Sequence, residues 1–224
     1  MLSPGTWALI THLGNSVLLL SAALIMALWL AAGRAWRLSS FWLVTLGSAA
    51  FLVLTTKIAF LGWGIGIQTL DFTGISGHAM LSMAVIPTLA ALLTFRTPAK
   101  IASTAIFLSF VVSVAVGLSR LALGAHSLSE VMTGWVVGML VTLPAIYHLS
   151  RVTKPLPSPW PLMLAVFLLL TTTAPRDGQQ GPETHGLIVN LALWASGQSE
   201  PFTRKMLHEE PGLSLQTPGL SAPH

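Results

Sequence analysis

The chain has 224 residues, of which 53% are hydrophobic and only 8% are charged. Soluble domains carry about 25% charged residues, so this composition excludes an ordinary soluble domain and indicates an integral membrane protein. The formal net charge of +4 does not indicate a nucleic-acid binder, because the basic residues occur singly between apolar runs and never form a patch. The absence of cysteine excludes disulfides and thiolate metal sites.

Six apolar runs follow one another between residues 1 and 174, and a transmembrane helix needs roughly 20 such residues. The last run is short for a bilayer. The first charges, Arg34 and Arg37, follow the first run, which is the flank order of an uncleaved anchor rather than of a secretory signal peptide. The sequence therefore predicts an all-α fold, a polytopic transmembrane helix bundle of five to six spans. The runs are about Ser16 to Ala32, Phe41 to Phe60, Ala79 to Phe95, Ile101 to Leu118, Val131 to Leu149 and Trp160 to Thr173.

Every second connection between these runs carries a pair of basic residues. By the positive-inside rule, these three loops are predicted to face the cytoplasm. The connections 62–77 and 119–129 then face outward together, although they are far apart in the chain. The basic pairs are Arg34 with Arg37, Arg96 with Lys100, and Arg151 with Lys154.

The region after the last run has a different composition. Residues 175–224 are rich in Pro, Gly, Ser and Gln, which is typical of disordered segments. The sequence thus predicts two parts, a transmembrane domain over residues 1–174 and a flexible C-terminal tail over residues 175–224.

Ionisable residues near the outward connections are unexpected in such an apolar chain. Arg120, His126 and Glu130 lie close together between two apolar runs, and each costs roughly 2.5 to 3.5 kcal/mol at the centre of a membrane helix. Asp71 and Glu130 are the only acidic residues before Asp177, and within residues 1–174 Lys57 and Arg120 are the only Lys or Arg residues outside the basic loops. We therefore expect these charges to form one group at the outer membrane surface.

The chemistry of this group suits an anion. Arg120 offers a planar fork for phosphate oxygens, with Lys57 as a second cation. The sequence Ser76-Gly77-His78 is predicted to open a helix, whose free backbone N–H groups favour an anion. His126 and Glu130 are one helical turn apart, so the carboxylate can hold one imidazole nitrogen and leave the other free as a nucleophile.

At these residues the chain resembles the type 2 phosphatidic acid phosphatase superfamily of membrane lipid phosphatases, which also includes the vanadium haloperoxidases. The family signature is K-x6-R-P, then P-S-G-H, then S-R-x5-H-x3-D. The third motif is matched by Ser119-Arg120, His126 and Glu130, the second by Ile75-Ser76-Gly77-His78, and the first by Lys57 alone. The motif core thus covers residues 57–130.

This resemblance implies a role for each matching residue and requires no metal or other cofactor. His126 attacks phosphorus and becomes a phosphohistidine, and Glu130 orients it. His78 acts as general acid and then activates the water that resolves the intermediate. The residues implied in substrate binding are Lys57, Ser76, Gly77, Ser119 and Arg120.

The chain departs from the family signature at three places. Gly64 and Ile65 stand where the first motif has arginine and proline, so one phosphate-binding cation is missing. Ile75 replaces the proline of the second motif. Glu130 replaces the final aspartate and keeps the negative charge.

Some of these residues also have structural interpretations. Ser127 and Glu130 form the S-x-x-E pattern of a capping box, which is compatible with a catalytic role for Glu130. Lys57 could snorkel from a helix end, and Arg120 could anchor the interface. Asp71 matches no motif position, and a turn or loop role is predicted for it.

The leading hypothesis is a metal-independent phosphatase that hydrolyses a lipid phosphate or diphosphate, such as phosphatidate, phosphatidylglycerophosphate or an isoprenyl diphosphate. Its site would face outward from a bacterial inner membrane. The alternative is a catalytically degenerate relative that binds anionic lipid head groups without hydrolysis. An ion or proton carrier is a weaker alternative, because the charges cluster at one surface. A haloperoxidase is weaker still, because those relatives are soluble.

Overall fold

The computed structural model describes residues 3–153, 156–172 and 184–208. Within these ranges the chain forms nine α-helices. A short 3-10 turn at Gln68–Leu70 lies between the third and the fourth of them. The helices are α1 (Pro4–His12), α2 (Ser16–Ala32), α3 (Trp36–Trp63), α4 (Gly77–Leu93), α5 (Ala99–Ala122), α6 (Leu128–Ser150), α7 (Trp160–Thr172), α8 (Thr184–Ser196) and α9 (Arg204–His208).

Four helical segments of the described chain are long and apolar enough to cross a membrane. They are Gly5–Ala32, which joins α1 and α2, together with α3, α5 and α6. Helices α4, α7 and α8 are apolar but shorter. The predicted all-α polytopic bundle is therefore confirmed, and the protein is an integral membrane protein.

Helix α4 lies at the centre of the bundle, between α5 and α6. Glycines on α6 let the two backbones approach closely, since a Cβ at Gly138 would lie 2.6 Å from the Met80 carbonyl oxygen and from Met83 Cβ. Small residues of this kind are typical of membrane helix interfaces. A buried hydrogen bond of 2.6 Å joins Thr88 of α4 to Thr142 of α6. These contacts hold α4 closely against α6.

Replacing Gly138 with leucine should destabilise the protein, because the added side chain has no room against α4. Overpacked interiors lose about 1–3 kcal/mol, so we expect a clear fall in the melting temperature of the purified protein in detergent. Gly47 on α3 is the matched control, because a Cβ there meets no described atom within 4 Å. An unchanged melting temperature for Gly138→Leu, measured beside Gly47→Leu, would contradict the close α4–α6 contact.

The basic loops come together at one end of the bundle. Arg96, after α4, donates a hydrogen bond to the carbonyl oxygen of Leu156, beyond α6. Trp29 near the end of α2 donates to the carbonyl oxygen of Ser158 at 3.1 Å. At the opposite end, the Ser76 N–H before α4 donates to the Glu130 carbonyl oxygen at 3.1 Å. The two sets of connections thus lie at opposite ends, as the alternation of basic pairs predicts.

The C-terminal region, for which the composition predicts a flexible tail, is described by the structure only in part. Its described residues, 184–208, contain helices α8 and α9, and α8 lies along α3. A Cβ at Gly62 would lie 3.1 Å from the Ala192 carbonyl oxygen, so the two helices are in close contact. The composition failed to indicate this packing because the apolar part of α8 is short. The other residues of the predicted tail lie outside the described ranges.

Candidate active site

A cavity of about 620 Å³ lies at the end of the bundle opposite the basic loops. Five of the residues that the sequence assigns to a site line it, and they come from α3, α4, α5 and the loop before α6. The rest of the wall is largely apolar, with contributions from α2, α3, α4 and α8. The predicted residues on the wall are Lys57, Gly77, His78, Arg120 and His126.

His126 and Glu130 are joined as their spacing predicts. His126 Nδ1 lies 2.6 Å from Glu130 Oε2. The predicted capping box is confirmed, since the Ser127 side chain accepts from the Glu130 N–H while the Glu130 carboxylate accepts from the Ser127 N–H at 3.1 Å. The start of α6 therefore fixes the carboxylate, and the carboxylate fixes the imidazole. With Nδ1 engaged, the nitrogen of His126 that is available for chemistry is Nε2.

The Glu130 side chain is fully buried and is surrounded by donors. Its Oε1 accepts from the Thr73 N–H at 2.7 Å and from the Thr73 hydroxyl at 2.6 Å. Arg204 Nη2 lies 2.8 Å from Oε1 and 2.9 Å from Oε2. A buried carboxylate needs such partners, because an unpaired charge in an apolar environment is very costly.

His78 is the second residue of α4 and shares the cavity with His126. Its side chain packs beside Gly14, where an added Cβ would lie 3.2 Å from His78 Cδ2. Ser76, the N-cap residue, makes no side-chain hydrogen bond to the helix start. The first N–H groups of α4 have no intrahelical partner and are favourable for an anion.

Two cations that the sequence predicts, Arg120 and Lys57, lie on the same cavity wall. Arg120, in the last turn of α5, donates from Nη1 to the Thr11 hydroxyl at 2.9 Å. Within the described ranges, nothing hydrogen-bonds to its buried Nε atom. Lys57 lies on α3 beside Gly74, where an added Cβ would be 3.1 Å from Lys57 Cγ. Arg120 and Lys57 thus give the cavity the positive charge that a phosphate would require.

Two predicted substrate-binding residues are placed elsewhere. Ser119 is fully buried, and its hydroxyl donates to the Val116 carbonyl oxygen at 2.6 Å. The Ser76 hydroxyl is also buried and has no hydrogen-bond partner among the described residues. Neither side chain lines the cavity. Their direct contact with a substrate stays a prediction.

Burial lowers the pKa of His126 below its ordinary value, and the positive charges of Lys57 and Arg120 act in the same direction. The hydrogen bond to Glu130 opposes these effects without overcoming them. An imidazole with a lowered pKa is neutral at neutral pH, which is the state that a nucleophile needs. In the part of the chain that the structure describes, no group of three or more His, Cys, Asp or Glu residues could hold a metal ion.

Arg204, which no sequence motif indicates as a site residue, lies on the cavity wall together with Phe202 and Thr203. Arg204 pairs with Glu130 and also with the carboxylate of Asp71. Asp71 occupies the predicted turn, with a left-handed φ of 49°, and additionally holds this arginine. No local pattern could have indicated the pair, since Arg204 and Asp71 are 133 residues apart.

The fold and the cavity together define a class, an integral membrane protein in which a histidine–carboxylate pair and the cations Lys57 and Arg120 lie around one cavity. The family model of the PAP2 superfamily matches residues 63–154. An uncharacterized 22.5 kDa protein in the cps region of Klebsiella pneumoniae is 32% identical over 208 residues, which cover 91% of this chain and 98% of that protein. No solved structure matches.

The chain belongs to the PAP2 superfamily, the family that its motifs predict. Membership in this family supports a phosphoesterase in general. The matched segment contains the four site residues His78, Arg120, His126 and Glu130. It begins after Lys57.

Proposed function

We propose that the protein is a membrane phosphatase that hydrolyses a lipid phosphate or diphosphate monoester through a phosphohistidine intermediate. The observation that carries the proposal is the 2.6 Å contact between His126 Nδ1 and Glu130 Oε2, on a cavity that also holds His78, Lys57 and Arg120. This combination provides a nucleophile, its orienting carboxylate, a second proton-transfer group and two cations.

In the first step, the Nε2 lone pair of His126 attacks phosphorus. A P–N bond forms while the bond between phosphorus and the leaving oxygen breaks, and His78 donates a proton to that oxygen. Lys57 and Arg120 stabilise the charge on the phosphoryl oxygens in the transition state. Glu130 stabilises the positive charge that His126 acquires.

In the second step, His78 takes a proton from a water molecule, and the resulting hydroxide attacks phosphorus. The P–N bond breaks and its electron pair returns to His126, so inorganic phosphate leaves and the enzyme is restored. His78 thus acts as acid in one step and as base in the other, which its place on the cavity wall supports.

The apolar part of the cavity supports a lipid as the substrate. Leu20, Val53, Leu81 and Val189 line it, together with Phe60. A phosphate with a hydrocarbon tail would bury the tail against these residues while its head group reaches the histidines. Candidates are phosphatidate, phosphatidylglycerophosphate and an isoprenyl diphosphate.

The basic loops support an outward-facing site. They lie at the end of the bundle opposite the cavity, which by the positive-inside rule supports a site at the outer face of a bacterial inner membrane. Lipid head groups of the outer leaflet would then enter directly from the bilayer.

The test is a lipid panel assayed for phosphate release by purified protein in detergent with a chelator present, comparing wild type with His126→Ala. We expect release from at least one of the three lipid classes by the wild type only. A matched melting temperature for the two proteins shows that the variant is folded. Absence of release from every lipid, or full activity of His126→Ala, would refute the proposal.

A second candidate is a relative that binds lipid head groups without hydrolysing them. Gly64, at the position of the missing motif arginine, has a left-handed φ of 70°, and an added Cβ would lie 2.9 Å from the Phe202 ring. Because residue 64 is glycine, this position contributes no cation to the site. Lipid that co-purifies with the protein without phosphate release, unchanged in His78→Ala, would support this candidate.

A further inference from the structure

The segment that follows α8 returns to the outer end of α3 and docks there through specific contacts. The Phe202 N–H donates to the Leu61 carbonyl oxygen at 2.9 Å. The Phe202 ring covers Gly64, and Leu207 lies against Gly66, where an added Cβ would be 3.2 Å from Leu207 Cδ1. The glycines leave a surface onto which these two side chains fit.

This docking brings the Arg204 side chain to the candidate site. Its Nη2 contacts both oxygens of the fully buried Glu130 carboxylate, at 2.8 and 2.9 Å. Its Nη1 donates to the Asp71 carbonyl oxygen at 2.9 Å and also contacts the Asp71 carboxylate. Asp71 is held in turn by His208, whose Nε2 lies 2.7 Å from Asp71 Oδ1. Arg204 is therefore fixed from both sides.

We infer that Arg204 is a positioning residue that acts on His126 through Glu130, so that the C-terminal segment is part of the catalytic apparatus. This inference rests on the proposed function of the site. Arg204 contacts the same Glu130 carboxylate that holds His126 Nδ1. Among the described contacts, it donates no hydrogen bond to His78 or His126.

The effect on His126 follows from the charges around it. His126 faces Glu130 on α6, Lys57 on α3, Arg120 on α5 and His78 on α4. Of these groups, Glu130 alone favours the protonated imidazole. Arg204 offsets part of the Glu130 charge and so weakens its pull on the imidazole proton.

Loss of Arg204 leaves the Glu130 charge less compensated, and the pKa of His126 should then rise. More of the imidazole would be protonated at a given pH, and a protonated imidazole cannot attack phosphorus. Activity that requires neutral His126 is lost as the pH falls through its pKa. The acidic limb of the profile of kcat/KM should therefore move to higher pH in the variant.

The experiment measures kcat/KM between about pH 5 and pH 9 for wild type, Arg204→Gln, Arg204→Lys and Met206→Gln. Met206 lies on the same short helix with an exposed side chain, which makes it the matched control. We expect the acidic limb of Arg204→Gln to move up by about one pH unit, which is up to about tenfold lower activity on that limb. In Arg204→Lys the acidic limb should lie close to its wild-type pH, and Met206→Gln should match the wild type.

A second readout does not depend on turnover. The ¹⁵N signals of His126, identified by their loss in His126→Ala, are titrated in detergent micelles for wild type and Arg204→Gln. We expect the titration midpoint of His126 to be higher in the variant. Arg204→Gln could instead lose activity equally at every pH, with the acidic limb of kcat/KM and the titration midpoint of His126 both unchanged. That result would show a purely structural role and overturn the inference. Absence of turnover in the wild type would refute the proposed function, and the titration would still decide the role of Arg204.

Discussion

Replacing His126 with alanine should lower phosphate release by on the order of 10⁴-fold, because the substitution removes the proposed nucleophile. His78 and His126 are the two histidines on the described cavity wall, and His78 has the proton-transfer role. No other described imidazole on this wall can replace His126. Glu130 keeps its contacts with Thr73 and Arg204 in this variant, so the buried carboxylate stays paired and the protein should fold.

The intermediate itself provides the sharper measurement. A phosphohistidine is stable in alkali and labile in acid, so protein mixed with a lipid labelled in its phosphate and quenched in alkali should carry label. His148→Ala is the matched control, because His148 lies near the other end of α6 against Phe41. We expect label on the wild type and on His148→Ala, and none on His126→Ala. Label that persists in His126→Ala would place the nucleophile elsewhere.

The part of the site that depends on local spacing could be predicted from the sequence. His126 and Glu130 are four residues apart at the start of a helix, and this spacing alone brings imidazole and carboxylate together. The capping box works in the same way, since Ser127 and Glu130 are joined through the first helical turn. Such contacts need no knowledge of the tertiary fold.

Long-range convergence could be predicted only where topology dictates it. Alternating basic loops place the ends of α3 and α5 beside the starts of α4 and α6, and this brings Lys57, His78, Arg120 and His126 to one cavity. The positive-inside rule is a constraint on the whole chain, so it fixes the end of the bundle on which each connection lies. It does not fix the direction of an individual side chain.

Ser119 and Ser76 show this limit. A serine hydroxyl near the end of a helix can donate to a carbonyl oxygen of the preceding turn, and Ser119 does so with Val116. The motif predicts a substrate contact for Ser119, and this contact stays a prediction. In the structure the Ser119 hydroxyl lies inside the bundle. Sequence spacing cannot distinguish these two orientations.

Arg204 shows a different limit. The composition around it is typical of a disordered tail, and Glu130, its partner, is 74 residues away. Its position depends on the surface that Gly62, Gly64 and Gly66 leave for α8 and for the segment after it. In the sequence these glycines mark only the end of a span. Their role as a docking surface becomes visible once α8 lies along α3.

Replacing His78 with alanine should affect the two chemical steps differently, and this difference tests its proposed dual role. A lipid alkoxide is a poor leaving group and needs the proton from His78, so we expect a loss of roughly 10²- to 10⁴-fold with a lipid phosphate. The leaving group of p-nitrophenyl phosphate departs without a proton. With this substrate the first step should proceed, whereas the second step still lacks the base that activates water.

The measurement is a rapid-mixing experiment with p-nitrophenyl phosphate, followed at the absorbance of nitrophenolate. In His78→Ala we expect a burst of about one nitrophenolate per enzyme, followed by slow release, because the phosphohistidine forms and then accumulates. Wild type should show steady release, and the double variant with His126→Ala should show no burst. Equal losses with both substrates and no burst would mean that His78 holds the substrate and transfers no proton. The contact of His78 with Gly14 would then define a binding wall, and the proton for the leaving oxygen would have to come from water.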